Sequence, residues 1–428
     1  MTSDAASPPT WLPILEGEEA ARAAAAVTAV ADAIGEAPLS SRGERSHLSG
    51  GEAGVALLFA YLDLARPGSG YGEIARQRLE RAIDILCSTT HEPSLYSGFT
   101  GVSWVAEHLR DGLPEEDPNE DIDAALLEHL RHTPWSYHYD LTTGLVGYGV
   151  YALERLPRSS AAACLELIVE RLAEVAQPRP EGLAWHTPYD LVPAPNQPWY
   201  PQGLDNLGVA HGTPGVIALL ARICGCGVAE EQARSLLAGG MSWLLAQKLP
   251  AGEKSVFPYA VGRDFKIRPA RTAWCYGDAG IAVALLAAGR SAGEPAWERE
   301  ALALARTVAR RSPEICGVED AGLCHGAAGL GHVLNRLHQA TGDPELLAAA
   351  RAWFGRALGY WEPGRGIGGF LALTPPDDDF DALVWNEDPG FLSGSAGMAL
   401  TLLAATSAVD PAWDRVLLTS PLPAGGAR

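Results

Sequence analysis

Two hydrophobic patterns alternate along this chain. In the first, nearly every position is apolar, as in 54–62 (GVALLFAYL), 215–222 (GVIALLAR), 280–287 (GIAVALLA) and 397–404 (GMALTLLA). Such segments predict helices buried on most faces. In the second, apolar residues recur at three- and four-residue steps with charges on the opposite side, as in 73–87, 163–175 and 300–310. That period predicts amphipathic, half-exposed helices.

A Gly-x-x-Gly pair opens the fully apolar pattern at Gly51/Gly54, Gly98/Gly101, Gly144/Gly147, Gly212/Gly215, Gly277/Gly280, Gly326/Gly329 and Gly394/Gly397. The first glycines are 47, 46, 68, 65, 49 and 68 residues apart. One such pair is a weak signal, but seven of them define a repeat. Buried helix alternating with half-exposed helix, seven times, predicts an all-α chain folded as an α/α toroid. Seven inner helices form a ring and seven outer helices cover it, as a single domain over 1–428. The glycines are expected at inner-helix N-termini, where positive φ and close backbone approach need the absence of a Cβ. All seven turns should then lie at one end of the toroid. The three longer spacings leave room for inserts. One is 177–205, Pro-rich and carrying Trp185, Trp199 and Tyr200, which breaks the helical pattern. A second is 364–391, with an acidic run at Asp377–Asp381, and a third includes 250–269.

Composition narrows the setting. Hydrophobic residues make up 47% and charged residues 20% of the 428, which fits an ordinary globular protein. A formal charge of −20 with no sustained basic stretch argues against nucleic acid as a partner. Seven scattered cysteines, an odd number, suit a reducing compartment in which thiols are core residues or metal ligands. No secretory signal opens the sequence, and the Ala-rich stretch 20–34 is too short to span a bilayer. The chain reads as cytoplasmic.

The repeat also organises the chemistry. Cys275 lies two residues before Gly277, and Cys324 and His325 immediately precede Gly326. Consecutive repeats thus bring two thiols and an imidazole to one rim. That is a zinc set, and three protein ligands leave a fourth tetrahedral position open. Buried core thiols and a capping histidine are the structural alternative, and that reading is kept for Cys87, Cys164 and Cys316. Two thiolates and a neutral imidazole bring a Zn²⁺ site near zero charge. A substrate thiol entering the open position would lose its proton. Three histidines would instead suit making hydroxide. The third and fourth repeats place Asp140 and His211 on the same rim, ordinary equipment for acid–base work. Arg271, four residues before Cys275, could stabilise an enolate oxygen or hold Asp140, and a salt-bridging surface role is equally open.

With these motifs in place (Ala210-His211-Gly212, Trp274-Cys275-Tyr276-Gly277, Cys324-His325-Gly326 and the seven glycine pairs), the chain resembles the LanC family of stand-alone lanthionine synthetases over nearly its full length. The resemblance implies a double α-toroid holding one zinc ion through Cys275, Cys324 and His325, with Asp140, His211 and Arg271 as catalytic residues. It implies intramolecular Michael addition of cysteine thiols to dehydroalanine or dehydrobutyrine, giving lanthionine and methyllanthionine rings. His211, paired with Asp140, would protonate the enolate carbon, and Arg271 would help organise that pair. The substrate implied is a dehydrated, leader-bearing precursor peptide, with a separate dehydratase and a membrane-bound transporter complex as partners. The insert at 177–205 is then a peptide-contacting surface. Only about 50 residues precede the first repeat, far short of a typical domain, so no fused dehydratase or kinase domain is expected.

Two other readings stand beside this one. The Asp377–Asp381 run fits the Asp-Asp-x-x-Asp pattern of prenyl-diphosphate enzymes that hold Mg²⁺, but it follows Pro375 and Pro376 inside an insert, where a solvated acidic loop is expected. Within the fold, LanC-like proteins that add glutathione to dehydroamino acids, or that serve as binding proteins, use the same architecture.

Overall fold

The computed structural model describes residues 11–36, 45–88, 91–110, 112, 117–375 and 382–420. Among them are fourteen α-helices. In chain order they are α1 (Gly17–Glu36), α2 (Glu52–Ala65), α3 (Tyr71–Ser88), α4 (Phe99–His108), α5 (Glu120–Leu130), α6 (Leu145–Glu154) and α7 (Ser159–Val175). They continue as α8 (Thr213–Ile223), α9 (Glu230–Ala246), α10 (Asp278–Ala292), α11 (Pro295–Arg310), α12 (Ala327–Thr341), α13 (Pro344–Gly359) and α14 (Ser395–Thr406). The even-numbered helices are the inner ring, each opened by a Gly-x-x-Gly pair, and the odd-numbered ones are the outer ring. Every residue of α10 from Asp278 to Gly289 is buried. Its outer partner α11 buries only the stripe Ala301, Leu304, Ala305 and Val308. The two hydrophobic patterns of the sequence are these two rings.

Each inner helix packs on the outer helix that follows it, from α2 on α3 to α12 on α13. The seventh pair closes differently, because α1 packs on α14 and α13. The N-terminal Ala-rich helix therefore supplies the seventh outer position and seals the ring. No helix among the described residues is long and apolar enough to cross a membrane.

The seven glycine turns do meet at one end, and the backbone shows how. Ser49 N–H donates to the Tyr96 carbonyl, Tyr96 to Thr142, Leu141 to Ala210 and Ala210 to Cys275. Cys275 then donates to Cys324 and Cys324 to Leu392, and Phe391 and Leu392 donate back to Ser49. These bonds run from 2.8 to 3.4 Å and form a closed circuit through all seven turns. Satisfying the turns against one another removes the cost of burying unpaired peptide groups at the rim.

The glycines are required for a different reason than positive φ. At six of the seven helix-opening positions φ is negative and the backbone extended, as at Gly98 (−119°) and Gly326 (−94°). Gly277 alone has positive φ, at +118°. What excludes a side chain is close approach. A Cβ on Gly101, Gly329 or Gly397 would sit 1.8 Å from the carbonyl oxygen six residues earlier. The turn folds back onto the first helical turn so tightly that only hydrogen fits.

Non-helical structure is richer than a Pro-rich loop. The insert after α7 builds a four-stranded antiparallel sheet in the order β1 (Ala176–Arg179), β2 (Gly182–Thr187), β3 (Leu204–Asn206), β4 (Ala260–Val261). Two of the expected inserts, 177–205 and 250–269, thus form one unit. β2 buries the adjacent pair Ala184 and Trp185, and Trp185 anchors it by donating its indole N–H to the Leu172 carbonyl. The remaining insert, 364–391, contains the antiparallel pair β5 (Ala372–Thr374) and β6 (Val384–Asn386). Its acidic run, Asp377–Asp381, lies outside the described residues.

The centre of the ring is plugged by the C-terminal segment 411–420, which the hydrophobic pattern does not announce. Trp413 stacks on His332 and meets Phe391 edge-on. Arg415 reaches Glu154, and the Ser420 carbonyl accepts from Arg222. The Val416 carbonyl accepts from Tyr96 Oη, and the Leu417 carbonyl from the Trp274 indole, both at 2.8 Å. Since Trp274 precedes Cys275, this plug is the floor beneath the glycine-turn end.

Candidate functional site

Cys275, Cys324 and His325 converge at that end. One ligand atom from each lies within 4.8 Å of the others, and they are the sole such trio of His, Cys, Asp or Glu among the described residues. The inter-turn bond from Cys275 N–H to the Cys324 carbonyl (3.4 Å) sets the two thiols side by side. Zn–S bonds of about 2.3 Å and Zn–N bonds of about 2.0–2.1 Å give tetrahedral edges of about 3.5–3.8 Å, a size compatible with three donors that all lie within 4.8 Å of one another. The electrostatics favour a cation as well. Hydrogen bonding to Cys324 holds the Cys275 thiol well below the ordinary thiol range against the cost of its burial, and His325 and Arg271 add to this. The Cys324 thiol is pushed well up, by the Cys275 hydrogen bond and then by burial. The two neighbouring sulfurs, Cys275 buried and Cys324 half-buried, thus share a proton, with the negative charge held on Cys275.

The same cavity, about 630 Å³, is lined by Thr142, His211, Tyr259, Arg271 and Tyr276 beside the sulfur–imidazole cluster. His211 Nδ1 lies 2.6 Å from Asp140 Oδ2, and its side chain is 42% exposed, into the cavity. Asp140 is buried and held as an anion. Thr143 N–H donates to Oδ1 at 2.8 Å and Thr143 Oγ1 at 3.0 Å, and Thr142 Oγ1 bridges the carboxylate and His211 Nδ1. Burial opposes charge on both partners, yet their attraction prevails: the carboxyl is lowered and the imidazole raised from its usual 6.5. The neighbouring Tyr276 ring stacks on both His211 and Tyr259, and its hydroxyl accepts from Asn206 at 2.9 Å. An imidazolium with Nδ1 tied to a carboxylate and its other nitrogen free toward the cavity is a proton donor aimed at whatever the cavity holds.

Arg271 also lines this cavity, on the sulfur side: its charge acts on Cys275, Cys324 and His325. It is exposed, and it makes no ion pair with Asp140, whose polar partners are His211, Thr142 and Thr143. Of the two active roles open to Arg271 in the sequence, organising the His211–Asp140 pair is not the one its position serves.

The family model that matches this chain, described as lanthionine synthetase C-like protein, spans residues 44–418. The chain belongs to this family. Among its relatives is nisin biosynthesis protein NisC of Lactococcus lactis subsp. lactis, 25% identical over 314 residues, which are 66% of this chain and 71% of that protein. The solved structure of nisin cyclase superposes with a TM-score of 0.70 over 92% of this chain and 96% of that one, at 20% identity. That likeness is one of fold.

Within this lanthionine synthetase C-like site, several residues went unnoticed in the sequence. Thr142 stood in plain view beside Asp140. Asn206 and Asp320 share a register with Asp388, as Asn/Asp-x-Gly ahead of the helix-opening Gly212, Gly326 and Gly394. In each, a side-chain Oδ1 accepts from the glycine amide two residues on, at 2.8, 3.2 and 2.7 Å. This repeated Asx turn was a readable signal. Tyr259 and the β5 residues Leu373 and Thr374, which also line the cavity, arrive from inserts and had no sequence signal.

Proposed function

We propose that this chain closes thioether rings in a dehydrated precursor peptide, adding cysteine thiols to dehydroalanine or dehydrobutyrine to give lanthionine or methyllanthionine. The observation that carries the reading is the sharing of one cavity by two chemically opposite groups, the Cys275–Cys324–His325 cluster and the Asp140-backed His211. Family membership and the NisC relative support the same class of enzyme, a lanthionine synthetase-type cyclase.

Cys275, Cys324 and His325 would hold zinc, which supplies the positive charge that lets a bound thiol ionise near neutral pH. The remaining chemistry belongs to the protein. The substrate sulfur forms its bond to the β-carbon of the dehydro residue, and the alkene electron pair moves to the α-carbon and its carbonyl. Arg271, exposed on the cavity wall, faces the oxygen on which that charge develops. His211 delivers a proton to the α-carbon and recovers one from solvent, while Asp140 keeps the imidazole in orientation. Across the whole step an S–H adds over a C=C bond, and the mass of the peptide does not change.

The assay therefore reads thiols. Incubating a dehydrated, leader-bearing peptide with the protein and zinc is expected to make its cysteines resistant to alkylation with no change in mass. Alkylatable cysteines accompanied by mass gained from added glutathione would replace ring closure by glutathione addition. Turnover of a prenyl diphosphate with Mg²⁺ and no zinc would sink the reading altogether.

A pH profile tests the acid. In Asp140→Asn the carboxylate that raises His211 is gone while the burial that lowers it remains. A neighbouring opposite charge is worth about 1–3 pK units, so the alkaline limb of the ring-closure rate should move down by about 1–3 pH units. An unmoved limb would remove His211 from the proton-donor role.

A further inference from the structure

A second cavity, of about 460 Å³, lies on the sheet unit, and its chemistry differs from that of the first. Trp199 and Tyr200 line it together with the loop 262–268 that follows β4. That loop is closed at its base, where Tyr259 N–H donates to the Arg268 carbonyl at 3.0 Å. Inside the loop the Phe265 ring meets Tyr200 edge-on at 4.9 Å, and Asp264 takes a positive φ of 65°. A Cβ on Gly262 would lie 2.6 Å from the Phe265 ring, so glycine there is what lets the ring seat. The loop thereby brings two cations to the cavity, Lys266 and Arg268. The Arg268 guanidinium lies over the Trp199 ring, 5.6 Å from its centroid, and a guanidinium stacked on a ring keeps its N–H edge available. Neither cation forms an ion pair among the described residues, although Asp264 lines the same cavity. Trp199 itself is 60% exposed, matched only by Leu64 among the large apolar side chains described. Exposed Trp beside unpaired Arg is the composition in which binding hot spots are enriched. Tyr259 lines both this cavity and the one holding Cys275, Cys324 and His325. Its ring stacks at 4.0 Å on Tyr276, which stacks in turn on His211.

On the thioether-forming reading above, we propose that this second cavity binds an acidic side chain of the precursor peptide, paired with Arg268 and Lys266, while a cysteine of the same peptide enters the neighbouring cavity. The planar Arg268 fork suits a carboxylate, and Trp199 offers its ring to an apolar residue beside it. Charge explains why such recognition is local. The protein's formal −20 repels an acidic peptide at long range, but at physiological salt that field is screened beyond about 8 Å. Within that distance the cavity's own cations decide. The occupant is assigned to the substrate because the two cavities share Tyr259, and because about 460 Å³ holds a few side chains and not the face of a second protein.

The test is a double-mutant cycle on ring closure. The acidic residues of a dehydrated, leader-bearing peptide are replaced one at a time by their amides, and each peptide is assayed with the parent protein and with Arg268→Gln. One replacement should raise the parent protein's KM about fivefold, the upper range for an exposed ion pair, and add nothing further in Arg268→Gln. Arg268→Gln should itself raise KM for the unaltered peptide by the same factor, and that factor should shrink as salt is raised. Its melting temperature should match the parent's, because Arg268 makes no ion pair among the described residues. Trp199→Ala should raise KM by a factor that salt leaves unchanged. An unchanged KM in Arg268→Gln, or losses that add at every acidic position, would overturn the proposal and leave the cavity to another ligand. A lowered melting temperature would make Arg268 a structural residue and overturn it equally. If the parent protein forms no thioether with any peptide, the functional reading fails on its own. The same combinations, measured as peptide Kd by calorimetry, then decide the contact.

Discussion

Cys324→Ala is expected to leave the protein without bound zinc and without ring-closing activity, while its helical content and melting profile change little. Cys324 contributes one of three ligand atoms grouped within 4.8 Å, and two remaining donors do not make a closed tetrahedral site. The loss of rate has a floor set by ionisation. An ordinary thiol with pKa about 8.5 is only about 3% thiolate at pH 7. A substrate thiol without metal assistance therefore loses about 30-fold from ionisation alone, before lost positioning is counted. The fold tolerates the change because Cys324 joins the rim circuit through its backbone N–H and carbonyl, which alanine keeps. Metal analysis by mass spectrometry, alongside the alkylation assay, checks both halves. A Cys324→Ala protein that keeps zinc and closes rings would remove the cluster from the chemistry.

The toroid was legible because a repeat multiplies weak evidence. Each glycine pair says little, but seven in one register, each followed by an all-apolar run, leave few ways to bury so much apolar surface. The same register carried the site, since a residue placed just before a helix-opening glycine must appear on the rim. Hence Cys275, Cys324, His325, His211 and Asp140 could be brought together without knowing one contact. Of the two causes expected for the glycines, close approach holds around the ring and positive φ only at Gly277, because sequence does not distinguish a glycine needed for φ from one needed for clearance. The β-structure was hidden for a related reason. Strands of two to six residues are too short to show a period of two, and proline masks what remains.

Elements outside the repeat were the hardest to read. α1 has the composition of a generic Ala-rich helix, and its role as the seventh outer helix follows only from ring closure. The C-terminal plug has no repeat position at all. Its residues Trp413, Asp414 and Val416 are ordered by contacts made separately to α12, to the turn before α14 and to the turn before α4, and no local pattern encodes such a set. Arg271 shows the limit inside the repeat. Its register fixed the rim, but which neighbour a long, exposed side chain addresses depends on charges contributed by other turns.

Asp414→Ala is the second substitution with a large expected effect, and it acts far from any reacting atom. Asp414 is fully buried in the plug. Its Oδ2 accepts from His332 Nε2 at 2.7 Å and Arg336 Nε at 2.6 Å, and its Oδ1 from Arg336 Nη2 at 3.0 Å and from Ser420 Oγ. Arg336 in turn lies 4.6 Å over the Trp11 ring, so one carboxylate ties the C-terminal plug to α12 and to the N-terminal segment. Removing one member of a buried ion pair costs about 3–5 kcal/mol, chiefly by leaving the other charge unpaired. Arg336 keeps Asp410 and the Pro411 carbonyl, which places the expected loss toward the lower end of that range. The pH dependence follows from the direction of the shift. Although burial opposes ionisation, Arg336 and then His332 hold the Asp414 carboxyl far below the usual range. Its stabilising contribution is therefore complete above the unfolded value of about 3.9 and is lost as pH falls toward the folded one. The urea-unfolding difference between the parent protein and Asp414→Asn, which removes the charge and keeps the size, should be full near neutrality and shrink only as pH falls well below about 4. Equal midpoints at pH 7 would mean that the plug rests on its apolar contacts and that this carboxylate does not fasten it.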